Sequence, residues 1–411
     1  MQTHLAPEFQ NTHEGRDAEA ILRKCVHCGF CTATCPTYQL LGDELDGPRG
    51  RIYLMKQVLE GAEPTRSTQL HLDRCLTCRN CESTCPSGVQ YGTLVDIGRQ
   101  IVEAKVERPA GERVKRWLLK EGLTSALFAP AMKLGQAVRP LLPATLRNKV
   151  PPKPATRAHF WPTRQHPRKV LLLLGCVQPA MMPNINSATA RVLDAAGIQA
   201  VVADGTGCCG AIRAHLNDHE GGLADMRRNI DAWWPLVERG DVEAIVMNAS
   251  GCGVTVKEYG RHLAHDTAYA ERASRIASLT KDLSELLPEL LPKLKPKLRS
   301  LRNRKLAFHP PCTLQHGQQL RGGVETGLRE LGFEVGLAPA ESHLCCGSAG
   351  TYSVLQPKLA YELRDRKLAQ LQPLAPQAIV SANIGCIQHL QSGTDTPVRH
   401  WIEVLDEALP A

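Results

Sequence analysis

The sequence predicts an α+β multidomain fold, a helical cysteine-rich domain followed by two α/β repeats. Three observations carry that prediction. Two cysteine runs of identical spacing lie among helix-period patterns before residue 112. A strand–helix unit with matching cysteines then recurs after residue 169. The chain has 411 residues, 43% hydrophobic and 22% charged, a globular balance long enough for two or three domains.

The helical part comes first. DAEAILRK reads as a helix leading into Cys25-x2-Cys28-x2-Cys31-x3-Cys35-Pro36. After Gly47-Pro48-Arg49-Gly50 breaks the chain, RIYLMKQVLEG reads as an amphipathic helix, with Ile52, Leu54, Met55, Val58 and Leu59 on its apolar face. The second run, Cys75-x2-Cys78-x2-Cys81-x3-Cys85-Pro86, is followed by another helical stretch, LVDIGRQIVEAKV. Three cysteines at steps of three wrap a short turn around three corners of a cubane, and the fourth crosses to a second cluster. Proline after it fixes the exit of the chain. The expectation is two [4Fe-4S] clusters, one on Cys25, Cys28, Cys31 and Cys85, the other on Cys75, Cys78, Cys81 and Cys35. Structural zinc prefers two separated C-x2-C pairs, which neither run provides. His27, between two ligands, reads as a surface or packing histidine. Clusters set among helices resemble the helical ferredoxin domains of succinate dehydrogenase iron–sulfur subunits and heterodisulfide reductases.

Eight further cysteines fall into two aligned halves. KVLLLLGC ending at Cys176 matches RKLAFHPPC ending at Cys312. Cys208-Cys209-Gly210 matches Cys345-Cys346-Gly347, and the Gly-Cys at Cys252 matches that at Cys386. The offsets are 136, 137 and 134 residues, so the register holds. Each half reads as strand, helix, strand, Cys-Cys-Gly loop, helix, strand and Gly-Cys, with parallel strands and cysteines at strand C-termini. Gly205-Thr-Gly207-Cys-Cys-Gly210 matches a dinucleotide fingerprint, but the aligned loop lacks it and the motif belongs in a first βα turn. It reads as a cysteine loop with flexible glycines.

Paired Cys-Cys-Gly repeats behind a two-cluster ferredoxin domain resemble the cysteine-rich (CCG) family. That family includes heterodisulfide reductase catalytic subunits, the C subunit of anaerobic glycerol-3-phosphate dehydrogenase, lactate-utilisation iron–sulfur proteins and glycolate oxidase iron–sulfur subunits. In length and domain order the chain is most similar to the last group. Heterodisulfide reductases end each repeat in C-x2-C, whereas here Ala249 and Asn383 stand where the first of those cysteines would be. A further cluster on Cys176, Cys208, Cys209 and Cys252, or on Cys312, Cys345, Cys346 and Cys386, is one expectation. The other is that some are buried structural remnants.

The resemblance implies a non-flavin electron-transfer subunit of an oxidoreductase acting on the CH–OH group of glycolate, and of D-lactate in a wider reading. Its partners would be an FAD-containing subunit, a second flavoprotein-like subunit, and a membrane quinone or other carrier as acceptor. The alternatives are a lactate or glycerol-3-phosphate dehydrogenase subunit and a disulfide-cleaving catalytic subunit. The expected domains are 1–112 (ferredoxin), 113–168 (helical and basic Pro-rich linker), 169–300 and 301–411 (the CCG repeats).

Charge and location complete the reading. No run of 18 apolar residues exists, and the N-terminus lacks a signal-peptide h-region. A reducing, cytoplasmic location follows, where sixteen cysteines are not a disulfide framework. The net charge of +8 conceals an acid-free stretch from Gly122 to Val192 with ten basic residues, and another between Glu289 and Glu325. A solvated linker, a dock for an acidic partner, and attachment to the anionic face of a bacterial inner membrane all fit that pattern. RVKRWLLKEGLTSALFAPAMKLGQAV, interrupted at Pro130, has the apolar and basic character of an interfacial helix. Nucleic-acid binding is not expected, since no aromatic sheet or recognition helix accompanies the charge.

Overall fold

The helices flanking the first cysteine runs form where their apolar period dictates. In the computed structural model, which describes residues 1–143, 147, 150–153, 156–299 and 304–410 (156 and 157 by backbone alone), they span His13–Lys24, Pro48–Leu59 and Tyr91–Lys105. Thr12 caps the first by accepting from the Gly15 N–H, and Pro48 starts the second at a position where no amide donor is needed. Ile21, Leu22, Ile52, Met55, Val58, Leu59, Leu94 and Val95 meet in one core, with Cys25, Cys75 and Cys81 at its edge. Gly98 permits the contact between helices: a Cβ there would lie 2.4 Å from the Met55 sulfur.

Two four-stranded parallel sheets follow. The first has strands β1 (Arg168–Leu172), β2 (Ile198–Val201), β3 (Ala244–Met247) and β4 (Thr280–Asp282) in the order β2-β1-β3-β4. The second has β5 (Lys305–Phe308), β6 (Glu334–Leu337), β7 (Ala378–Ser381) and β8 (Val398–His400) in the order β6-β5-β7-β8. The orders are identical, so the cysteine register is matched by topology. The order reverses between β1 and β3, and between β5 and β7, which is where open sheets place functional groups beyond their carboxyl ends.

Alternation along β1 and β3 divides the core. Val170, Leu172 and Val246 face a cluster shared with Leu306, Phe308, Ile379 and Trp401 of the second sheet's unit. Leu171, Leu173, Ile245 and Met247 face Trp233, Tyr259 and Ile276 on the other side. Among the contacts that fasten the repeats are the buried pair Arg191–Asp406 at 2.8 Å, His400 Nε2 with the Asn248 carbonyl at 2.9 Å, and the Ser250 amide on the Ala382 carbonyl at 3.0 Å.

The apolar and basic segment before the linker is two helices, Ala110–Thr124 and Phe128–Ala137, and Pro130 is accommodated in the first turn of the second. Ion pairs fasten the first to both sides: Arg116 with Asp73 at 3.0 Å, Lys120 with Asp218 at 3.1 Å, and Glu121 with Arg213 at 3.0 Å. Val114, Trp117, Leu118, Leu127, Leu134 and Leu141 stay exposed. The basic stretch is partly neutralised within the fold, since Arg164 pairs with Asp194 and Arg168 with Glu243 and Glu289. Lys149, the Arg157 side chain and the junction at residues 300–303 lie outside the described residues. Among the described residues no helix is long and apolar enough to cross a membrane.

Candidate iron–sulfur site

The two cysteine runs fold into nearly the same loop. His27 and Thr77 take left-handed conformations with φ 58° and 50°, as do Gly29 and Arg79 at 85° and 57°. Three of these four are not glycine, and each such residue costs about 1 kcal/mol of backbone strain. The surrounding packing maintains these turns, and successive cysteines of each run line one hollow.

Cys25, Cys28, Cys31 and Cys85 line one cavity, with Cys81 also on its wall. Cys35, Cys75, Cys78 and Cys81 line a second. Burial raises the Cys31 thiol to about 11, and Cys25, Cys28 and Cys85 add to the rise. Burial is likewise the first cause for Cys81, followed by Cys78, Cys75 and Cys35. The fourth cysteine of each run therefore sits with the first three of the other. Buried thiols with raised pKa are poor free groups; metal ligation supplies the compensation for their ionisation. All sixteen cysteines are free thiols, so none is withdrawn from ligation by a disulfide. The donor set fits cubane clusters.

Around the second cavity the polar contacts are dense. Tyr91 Oη donates to Cys75 Sγ at 3.6 Å, the Thr77 amide to the same sulfur at 3.4 Å, and Thr37 Oγ1 lies 3.3 Å from Cys35 Sγ. Arg51, fully buried, donates to the His71 carbonyl at 2.7 Å and to Thr37 Oγ1 at 3.2 Å, and pairs with Asp46 at 3.3 Å. Asp46 also meets Arg74 at 2.8 Å and His71 Nδ1 at 3.1 Å. Sequence reasoning missed Arg51; the chain break just before it was the only signal.

The remaining cysteines form two matching groups in which neighbouring thiols perturb one another, Cys176, Cys208, Cys209 and Cys252 in one and Cys312, Cys345, Cys346 and Cys386 in the other. Cys312 and Cys345 sulfurs are 3.7 Å apart. Gly210 and Gly347 amides each donate to the first sulfur of their Cys-Cys pair at 3.4 Å. Gly205-Thr-Gly207-Cys-Cys-Gly210 is this loop, and it follows β2 rather than the first strand of its sheet.

The two sets differ in charge and surroundings. In the second, buried Lys367 donates to the Glu341 carbonyl at 2.5 Å. Burial pushes its ammonium down, and the Cys346, Cys345 and Cys312 sulfurs favour its charged form. In the first set, Asp225 is raised to about 6 by burial and then by Cys208. The sulfurs thus have a buried ammonium near them in one repeat and a buried carboxyl in the other. Asn383, at the position of the missing cysteine, donates to Cys386 Sγ at 3.6 Å, while Ala249 offers no polar atom. The second set is also contiguous with the ferredoxin-type loop: Leu76, Cys78, Cys312, Cys345 and Tyr352 pack together. Arg79 pairs with Glu258 of the first repeat, with one contact at 2.8 Å. Burial pushes the Glu258 carboxyl up, but Arg79 overcomes it and holds it at about 2.

Comparison with known proteins agrees with this arrangement. Residues 21–89 match the model of a 4Fe-4S dicluster domain, and residues 170–257 and 306–391 each match that of a cysteine-rich domain. The chain is 55% identical to the glycolate oxidase iron-sulfur subunit of Escherichia coli K12, over 100% of its own length and 99% of the relative's. It belongs to the family of glycolate oxidase iron–sulfur subunits. A probable glycolate oxidase iron-sulfur subunit of Bacillus subtilis is 32% identical over 94% of this chain and 92% of its own. Lactate utilization protein A of Bacillus licheniformis is 26% identical over 58% of this chain. As a member of this family the chain carries [4Fe-4S] clusters.

Proposed function

We propose that the chain is the electron-transfer subunit of a multisubunit dehydrogenase that oxidises glycolate to the 2-oxo acid. A flavoprotein subunit performs the oxidation, and electrons pass toward a membrane quinone or another respiratory carrier. The observation that carries this reading is the sequence of sulfur-lined cavities, the first sharing Cys81 with the second, and the second reaching through Cys78 to Cys312 and Cys345, in a chain of full-length likeness to such subunits. When bound, the clusters would take up and release electrons one at a time, so that a two-electron-reduced flavin would be emptied in two steps.

In this reading Cys25, Cys28, Cys31 and Cys85 hold one cluster, and Cys75, Cys78, Cys81 and Cys35 the other. The Cys312 set, with Lys367 beside it, is the better placed of the two CCG sets to hold a third. The chain's own groups set how readily charge is accepted. Tyr91 and the Thr77 amide hydrogen-bond to sulfur and favour the more negative, reduced state. We assign 1–112 to the ferredoxin unit, 113–168 to the linker, and 169–300 and 301–411 to the repeats. The heterodisulfide-type catalytic alternative is disfavoured because Ala249 and Asn383 replace cysteines.

Attachment to the cytoplasmic face of the membrane belongs to the same proposal. The exposed side chains of Val114, Trp117, Leu118, Leu127 and Leu134, with Arg113 and Lys133 among them, suit the headgroup boundary of an anionic leaflet.

The test is purification of the native complex. A glycolate-reducible flavoprotein should co-purify, and the complex should leave membranes on salt washing, because screening weakens exposed charge contacts. A complex that contains no flavoprotein, or whose flavin ignores glycolate, would overturn the reading.

A further inference from the structure

The two cysteine loops supply each other's control. Val26 and Phe30 correspond to Leu76 and Asn80, one run of spacing later. Leu76 is 4% exposed and Asn80 3%, because the second repeat covers them. Leu76 packs with Tyr352 and Leu359, and Asn80 Nδ2 reaches the His343 carbonyl at 3.4 Å. The first loop has the same backbone and no cover. Val26 is 68% exposed and Phe30 60%, with Tyr53 exposed beside them. Between them lies Cys28, the only exposed cysteine of the sixteen.

Charge follows the same correspondence. Arg79 anchors the second loop to Glu258 of the first repeat. Its counterpart is Gly29, but the Arg49 guanidinium stands 2.7 Å from where a Gly29 Cβ would lie. The loop therefore regains a cation at that place from another helix. Lys24, next to Cys25, bonds Gln90 at 3.0 Å. Among the groups fixed at this edge by these contacts, two cations, Arg49 and Lys24, face one carboxylate, Glu44 on Arg49.

We propose that the face formed by Val26, His27, Cys28, Phe30 and Tyr53 is the docking surface for a redox protein that presents an apolar socket rimmed by carboxylates. The second loop already meets such a surface inside the chain, apolar packing on Leu76 and a carboxylate on Arg79. The first loop offers the same elements outward, with positive charge to select an acidic partner. Covering it would exclude water from the one exposed ligand. This rests on the proposed function, under which the partner is the flavoprotein subunit, and it assigns electron entry to the Cys28 side and onward transfer to the Cys78 side.

The experiment uses the full-length, cluster-loaded chain and the flavoprotein subunit that co-purifies with it. Val26→Glu and Phe30→Glu should each raise the Kd for the flavoprotein at least ten-fold, with iron content and the dithionite-reduced spectrum unchanged. Lys24→Glu should weaken binding at low salt, with the difference vanishing at high salt. Variants that bind as tightly as the wild type would overturn the docking face while leaving the proposed function standing. A wild-type chain that binds no flavoprotein would overturn both.

Discussion

Cys78→Ala is expected to stop electron delivery to the acceptor while sparing the oxidation of substrate. In the complex, glycolate should still reduce the partner's flavin at a rate within about two-fold of wild type, while acceptor reduction falls by at least about 100-fold, beyond the loss typical of an outer-shell partner. The reason lies in where Cys78 sits. It faces Cys75, Cys81 and Cys35 on one side and packs against Cys312 and Cys345 on the other. Removing its sulfur breaks the ligand set and the contact with the second repeat together. Stopped-flow absorbance separates the two steps. A parallel loss of flavin reduction would show that the chain does more than relay electrons.

Arg51→Ala should be the most damaging substitution that touches no cysteine. The guanidinium is buried and ties together the two segments whose cysteines line the second cavity. One contact is to Thr37, beside Cys35; another is to the His71 carbonyl, at the end of the helix before Cys75. Alanine would leave Asp46, itself fully buried, short of one of its cations. Breaking a buried pair from one side costs about 3–5 kcal/mol. The thermal midpoint of the ferredoxin unit should drop by at least about 10 °C. Iron from the Cys35-containing site should fall with it. Calorimetry with iron analysis checks this; a variant with native midpoint and full iron would show that Arg51 is a passive filler.

What the sequence made legible was whatever chemistry fixes through spacing. Steps of three between cysteines, a proline after the fourth, and two aligned Cys-Cys-Gly loops have few structural solutions, so the helical cluster domain and the paired α/β units could be read directly. The last strand of each sheet could not. Thr280–Asp282 and Val398–His400 are three residues each, too short for a period, and exist because a neighbouring strand and a capping box at the next helix receive them. Arg51 and Lys367 were hidden for another reason. Charged residues on amphipathic helices normally face water, and only tertiary packing turns these two inward. The contrast between Leu76 and Val26 was equally invisible, since both are apolar residues after the first cysteine of a run. Only the fold decides which of them is covered.

The most direct test of the central claim is metal analysis of the anaerobically purified chain and of its Cys35→Ala and Cys85→Ala variants. Two cubanes give about eight irons per chain, and about twelve when the Cys312 set is also filled. Crossed ligation predicts that Cys35→Ala perturbs the electron paramagnetic resonance signal of the cluster on Cys75, Cys78 and Cys81, and that Cys85→Ala perturbs the other. Zinc in place of iron, or variants that each disturb the cluster of their own run, would contradict the account.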